Sequence, residues 1–145
     1  MSAFPELDRV VDEAHHDALA AFVTGDPGPL KRLFSHEADV IVAHPFGPPA
    51  RGWQEAADAI DRAAALWRDG NVTGFERLGA YATPDLAYVV EIERYVARVG
   101  GSDEPASLAL RVTTILRPEG GEWRIVHRHA DAIRATSIQD SIIPW

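Results

Sequence analysis

The sequence predicts an α+β fold in which helices come first and an antiparallel sheet follows. Two long segments, 5–24 and 53–69, carry apolar residues at helical spacing. From residue 71 onward the period changes to two, and four runs, 71–83, 86–99, 106–117 and 122–134, read as strands. The breaks between them are turn sequences: Pro84-Asp85, Gly100-Gly101-Ser102-Asp103-Glu104-Pro105 and Pro118-Glu119-Gly120-Gly121. Consecutive strands are therefore expected to pair antiparallel as a meander. Helices preceding strands in a chain of this length imply a curved antiparallel sheet with the helices packed on its concave face.

In the first helix, Pro5 suits the opening turn and Glu6 and Asp8 favour its positive end. Leu7, Val10, Val11, Ala14, Ala18, Leu19 and Phe22 trace its apolar face, and Gly25 ends it before the turn Asp26-Pro27-Gly28-Pro29. A short helical run over 30–34 and a short strand over 39–43 follow. In the second long helix Ala56, Ala59, Ile60, Ala63, Leu66 and Trp67 share a face, and Asp69-Gly70-Asn71 is its expected stop.

Composition removes several function classes. There are no cysteines, so thiolate nucleophiles, disulfides and Cys-based metal sites are excluded. The net charge is −8 and Lys31 is the only lysine, which argues against a nucleic-acid partner. No apolar run is long enough to span a bilayer, and the first residues lack the basic-then-apolar order of a secretory signal, so no membrane partner and a cytoplasmic location are expected. No repeat or linker interrupts the chain, and residues 1–145 read as one domain. No cofactor is expected.

The segment 33–52, LFSHEADVIVAHPFGPPARG, carries the clearest functional signal. His44 stands where a strand stops, held by an X-Pro turn, and a titratable side chain there is a candidate general base. On the last strand His127, His129 and Asp131 alternate with Val126, Arg128 and Ala130. On the run LAYVVEIERYV, Val89, Glu91, Glu93 and Tyr95 share a face opposite Tyr88, Val90, Ile92 and Arg94. Glu91 and Arg128 are candidate mutual partners, because a carboxylate among apolar residues must be paired, protonated or solvated. Phe46 could wall a pocket mouth, Trp53 could close the turn, and His15 faces either the interior or solvent. The strict alternation puts Trp123 and Ile125 on the same side as His127.

Two motifs resemble the SnoaL-like and nuclear transport factor 2-like superfamily, which includes the ketosteroid isomerases and the calmodulin-dependent kinase II association domain. One is the His44 segment; the other is Gly121-Glu122-Trp123-Arg124-Ile125-Val126-His127-Arg128-His129-Ala130-Asp131. The resemblance covers about residues 6–134 and implies the cone-shaped, cystatin-like roll. It puts His44 where the isomerases have their catalytic acid, turns Val126, Arg128 and Ala130 to the pocket and leaves His127 and His129 on the outer face, where relatives dimerise. It places Glu91 at the hub's pocket arginine and Trp67 at its pocket tryptophan. The isomerases' oxyanion-stabilising tyrosine is Ala18 here, and their second oxyanion acid falls near Thr113 or Thr114. The implied function is a pocket for a small apolar or carbonyl-bearing molecule. If it is an enzyme, its chemistry is of the isomerase, cyclase or hydratase kind, with His44 as base, Arg128 polarising an oxygen and Glu91 orienting Arg128. Phe46, Trp53, Trp67, Glu93, Val126 and His15 are the candidate ligand-binding residues. The alternative is a non-catalytic binding or dimerisation module. A metal-dependent reading would rest on His127, His129 and Asp131, and no metal site is expected.

Overall fold

The computed structural model describes residues 3–133. The N-terminal helical stretch runs as α1 (Pro5–Arg9), a π-helical turn (Val10–His15) and α2 (His16–Phe22); α3 (Gly28–Leu33) and α4 (Trp53–Ala64) follow. The strands are β1 (Ile41–Ala43), β2 (Ala50–Arg51), β3 (Trp67–Ala82), β4 (Ala87–Val99), β5 (Ala106–Glu119) and β6 (Glu122–Ala132). They form one curved six-stranded sheet in the order β2-β1-β6-β5-β4-β3.

From β3 to β6 every pairing is antiparallel, the meander that the turn sequences predict. The β1 strand adds to the far side of β6 in parallel, with Ile41, Val42 and Ala43 opposite His127, Arg128 and His129. That pairing fixes the exit of β1, and so His44, beside the C-terminal half of β6.

The second long helix ends earlier than its periodicity suggests. It stops at Ala64, and Trp67 opens β3 opposite Val99 instead of lying on the helix. The apolar face of 53–64 continues into Leu66 and Trp67 by sequence spacing, but ladder bonds and ring packing against Phe22, Phe46 and Tyr95 outweigh helix propensity there. Gly70 permits the join: a Cβ at this position would lie 2.3 Å from the Val23 carbonyl oxygen, which accepts the Gly70 N–H at 3.0 Å.

A β-bulge in β6 breaks the strict alternation. Ile115 pairs with His127 but Leu116 pairs with Ile125, leaving Val126 as the extra residue. Ile125 is consequently fully buried on the core side, as are Arg128 and Ala130 further on, whereas His129 and Asp131 face outward. The expectations that Ile125 shares a face with His127 and that Val126 faces the pocket are both corrected by this one residue.

Leu7, Val11, Leu19, Leu30, Phe34, Val40, Ile60 and Ile125 build one core cluster between helices and sheet; Val23, Trp67, Tyr95, Leu110, Val112 and Ala130 build a second beneath the His44 turn. Among the described residues no helix is long and apolar enough to cross a membrane.

Candidate functional site

A small cavity opens at the His44 end of the sheet. It is lined by Phe22 and Leu30 from the first helices, Val42, His44, Pro45 and Phe46 from β1 and its exit, Ile60 and Ala63 of α4, Trp67 of β3, Leu110 of β5, and Arg128 and Ala130 of β6. Its volume is about 40 Å³, against roughly 300–1,000 Å³ for typical small-molecule clefts. At rest it has room for a few waters.

The turn fixes His44. Its Nδ1 accepts the backbone N–H of Phe46 at 3.0 Å, so the neutral ring carries its proton on Nε2. That Nε2 is buried and finds no hydrogen-bond partner among the described residues. Burial, then the charges of Arg128 and Arg62, lower the pKa of His44, which keeps the ring neutral near pH 7. The Trp67 indole Nε1 is likewise buried and unpartnered.

Arg128 is held by Glu93, not Glu91. The guanidinium donates through both terminal nitrogens to the two Glu93 oxygens, at 2.9 and 2.7 Å, and the Tyr95 hydroxyl donates to Glu93 at 2.7 Å. Glu93 is 0% exposed and Arg128 8%. Burial pushes the Glu93 carboxyl up, but the charge and hydrogen bonds of Arg128 outweigh it and the pKa ends below the usual range. Tyr95 is pushed well up by burial and by Glu93.

Glu91 belongs to a different group. It accepts from His16 Nε2 at 3.0 and 3.2 Å and from Arg77 Nε at 3.1 Å, and Arg77 reaches on to Asp12 at 2.6 Å. The His16 ring stacks on Phe75 with centroids 3.7 Å apart. The π-helical turn ends on His15, so two consecutive histidines face the sheet, His15 beside Glu93 and Arg128 and His16 on Glu91. His15 is 2% exposed, and its Nε2 has no hydrogen-bond partner among the described residues; burial first, then Arg128, lowers its pKa to about 4.

The geometry thus brings His44, Phe46, Trp67 and Arg128 to one cavity and leaves other predicted residues elsewhere. Glu91 neither lines the cavity nor pairs with Arg128. Trp53 stacks on His36 at 4.0 Å near Phe34, packs against the first core cluster and does not line the cavity. Val126 is the bulge residue, and Glu93 and His15 stand behind Arg128, outside the lining. His129 pairs with Asp131 at 3.2 Å on the outer face, and among the described residues no group of three His, Cys, Asp or Glu side chains could hold a metal ion. His16, Arg77 and the tethering role of Tyr95 carry no motif in the sequence. Parity along β4 was the available signal for Tyr95; nothing in the spacing announced the π turn that aims His16 inward.

A family model described as a SnoaL-like domain matches residues 11–133. The chain belongs to the SnoaL-like family. Solved structures repeat the fold at low identity. A nuclear transport factor 2-like protein from Salmonella enterica is similar with a TM-score of 0.76 at 18% identity, over 94% of this chain and 97% of its own. A ketosteroid isomerase-like protein from Erwinia carotovora atroseptica gives 0.71 at 19%, over 87% and 95%. The hexachlorocyclohexane dehydrochlorinase LinA-type3 from Novosphingobium barchaimii gives 0.66 at 14%, over 90% and 92%. No curated protein sequence matches this SnoaL-like chain.

Proposed function

We propose that the chain takes a small apolar or carbonyl-bearing molecule into the cavity between His44, Phe46, Trp67 and Arg128. We further propose that it acts on that molecule by proton-transfer chemistry of the isomerase, cyclase or lyase kind, without a bound cofactor. The observation that carries this reading is the meeting of a titratable ring and a buried guanidinium in an otherwise apolar cavity. Isomerase and dehydrochlorinase names among structures of the same fold agree with the class of chemistry. The resting volume requires the lining to open on binding.

In the enzyme reading His44 is the base. That role requires the proton to shift from Nε2 to Nδ1, with loss of the Phe46 hydrogen bond. The same bond favours a second reading, a binding module in which His44 only donates. His44→Gln separates them, because Gln keeps an N–H and cannot accept a proton at neutral pH. Under the enzyme reading it still binds the ligand identified by a screen of small ketones and esters, but loses turnover, whereas His44→Ala loses both. Unchanged turnover in His44→Gln would remove the base.

A homodimer through the outer sheet face completes the proposal. Its support is the exposed pair Tyr81 and Tyr88, stacked at 6.2 Å, beside exposed Leu78 and Leu86. A monomer by light scattering at micromolar concentration would refute it.

A further inference from the structure

Among the described residues, the side chains lining the cavity offer hydrogen-bond donors and no free acceptor. Trp67 Nε1–H is donor-only, buried and unpartnered. The lone pair of His44 Nδ1 is taken by Phe46, which leaves Nε2–H as its second function, also buried and unpartnered. Arg128 has more N–H groups than the two that bond Glu93. The remaining lining side chains are apolar. Native interiors seldom leave two ring N–H groups idle beside one cavity, and a ligand acceptor would satisfy them.

The positive charge at this wall is already cancelled. Glu93 meets Arg128 end-on through two hydrogen bonds, and Tyr95 supports the same carboxylate. An entering carboxylate would give up its hydration and become a second anion before one guanidinium; the other cation that His44 feels, Arg62, is exposed and stands outside the lining, where water screens it. An ammonium would bring more donors to a wall of donors. An uncharged oxygen acceptor pairs with the idle N–H groups without either cost.

We propose that Glu93 is the specificity-determining residue of this cavity: by neutralising Arg128 it makes the site select an uncharged acceptor, a ketone or ester oxygen, over a carboxylate. The inference rests on the reading that the cavity is the ligand site, and it concerns binding to the resting tautomer of His44, in which Nε2 donates, before any proton shift. It assigns Glu93 a role apart from touching the ligand, since Glu93 does not line the cavity, and it assigns Trp67 a polar contact in addition to its ring packing.

The test is a titration of the whole chain with three compounds of one ring size: cyclopentanone, cyclopentanecarboxylate and cyclopentane. The Trp67 indole N–H resonance, identified by its loss in Trp67→Phe, is followed by proton–nitrogen NMR. The expected result is a saturable downfield shift with cyclopentanone and binding of the carboxylate weaker by about tenfold or more, the scale of one unmade hydrogen bond. Carboxylate binding as tight as that of the ketone would overturn the proposal. Cyclopentane binding as tightly as cyclopentanone would also overturn it, while leaving the cavity as a ligand site. Failure of all three to bind would remove the ligand site itself, and the proposal with it. In Glu93→Gln the preference should swing toward the carboxylate by about tenfold, because Arg128 is then uncompensated; no swing in the folded variant counts against the proposal. Should that variant fail to fold, the charge-free pair Glu93→Gln with Arg128→Gln takes its place. It should still disfavour the carboxylate while binding the ketone more weakly than the parent, and a ketone affinity equal to the parent's would overturn the role of Arg128.

Discussion

Glu91 and Glu93 stand two residues apart on the same face of β4, and both are buried, yet they do different things. Glu93 sits in a closed set with Arg128, Tyr95 and His15 deep behind the cavity. Glu91 sits in an open set, where His16 is half-buried and Arg77 and Asp12 reach solvent. One step along the inward face separates a carboxylate that water cannot rescue from one that it can. Loss of either leaves cations behind, and the dielectric around those cations decides the cost.

The largest expected effect follows from the closed set. Glu93→Gln strands the Arg128 charge in the interior and should cost about 3–5 kcal/mol, measured by denaturant unfolding. Exchange of both partners for apolar residues of similar volume, Glu93→Met with Arg128→Met, should return most of that stability. A Glu93→Gln variant as stable as the parent would mean that water reaches the pair, and the contrast with Glu91 would disappear.

Acid sharpens the same contrast through His15, which faces Arg128, Glu93, His16 and Glu91. Its pKa falls from 6.5 in the unfolded chain to about 4 in the folded one. Between those values the unfolded state binds the extra proton, so stability is full above pH 6.5 and declines as pH falls toward 4, by about 3 kcal/mol across the window. His15→Leu should flatten most of this limb in unfolding curves taken from pH 7 to 4.5. A residual slope of the same sign should remain from His44 and His127, which are also lowered. Glu93 and Glu91 act lower still. Their carboxyls are depressed from 4.5, so their contribution holds above that pH and is lost as pH falls through the folded values. An unchanged limb in His15→Leu would place the acid sensitivity elsewhere.

Much of the scaffold around these two carboxylates was legible in the sequence. Period-two runs with Gly and Pro breaks announced β3 to β6, and parity along β4 turned Glu91, Glu93 and Tyr95 inward. The pairing of Arg128 was not legible. By register Arg128 lies in the row of Thr114 and Val89, and Ala130 in the row of Val112 and Glu91, so Glu91 is the nearer carboxylate along the ladder. The side chain leans past that row to Glu93, because His16 and Arg77 already occupy Glu91. That occupation depends on the π turn of the first helix, and a period of 3.6 cannot reveal a local insertion. Strict alternation failed at Val126 for a related reason: a bulge adds one residue without changing composition. The place of His44 at a strand exit was legible from the short strand and the proline after it. Its tautomer was not, because the backbone N–H of Phe46 that fixes it leaves no mark in the sequence.

Glu91→Gln should cost less than Glu93→Gln, about 1 kcal/mol, because Arg77 can turn to Asp12 and water. A loss equal to that of Glu93→Gln would show the open set to be as dry as the closed one.

The smallest effect belongs to Tyr95→Phe, and it tests how the closed set is held. The Tyr95 hydroxyl is one of three hydrogen bonds to Glu93, and its removal leaves the two from Arg128 and the ring packing against Trp67 and Phe75 intact. The expected cost is about 0.5 kcal/mol, that of one hydrogen bond largely offset by the apolar ring edge left in its place. If Arg128 is held by Glu93 alone, Tyr95→Phe should also leave the preference for ketone over carboxylate unchanged, since the charge balance is the same with or without a phenol. A swing toward carboxylate in this variant would mean that the hydroxyl, and not the carboxylate by itself, keeps Glu93 turned to Arg128. Neutralisation would then be a property of three residues, and the contrast between the two carboxylates would lie in Tyr95, which Glu91 lacks.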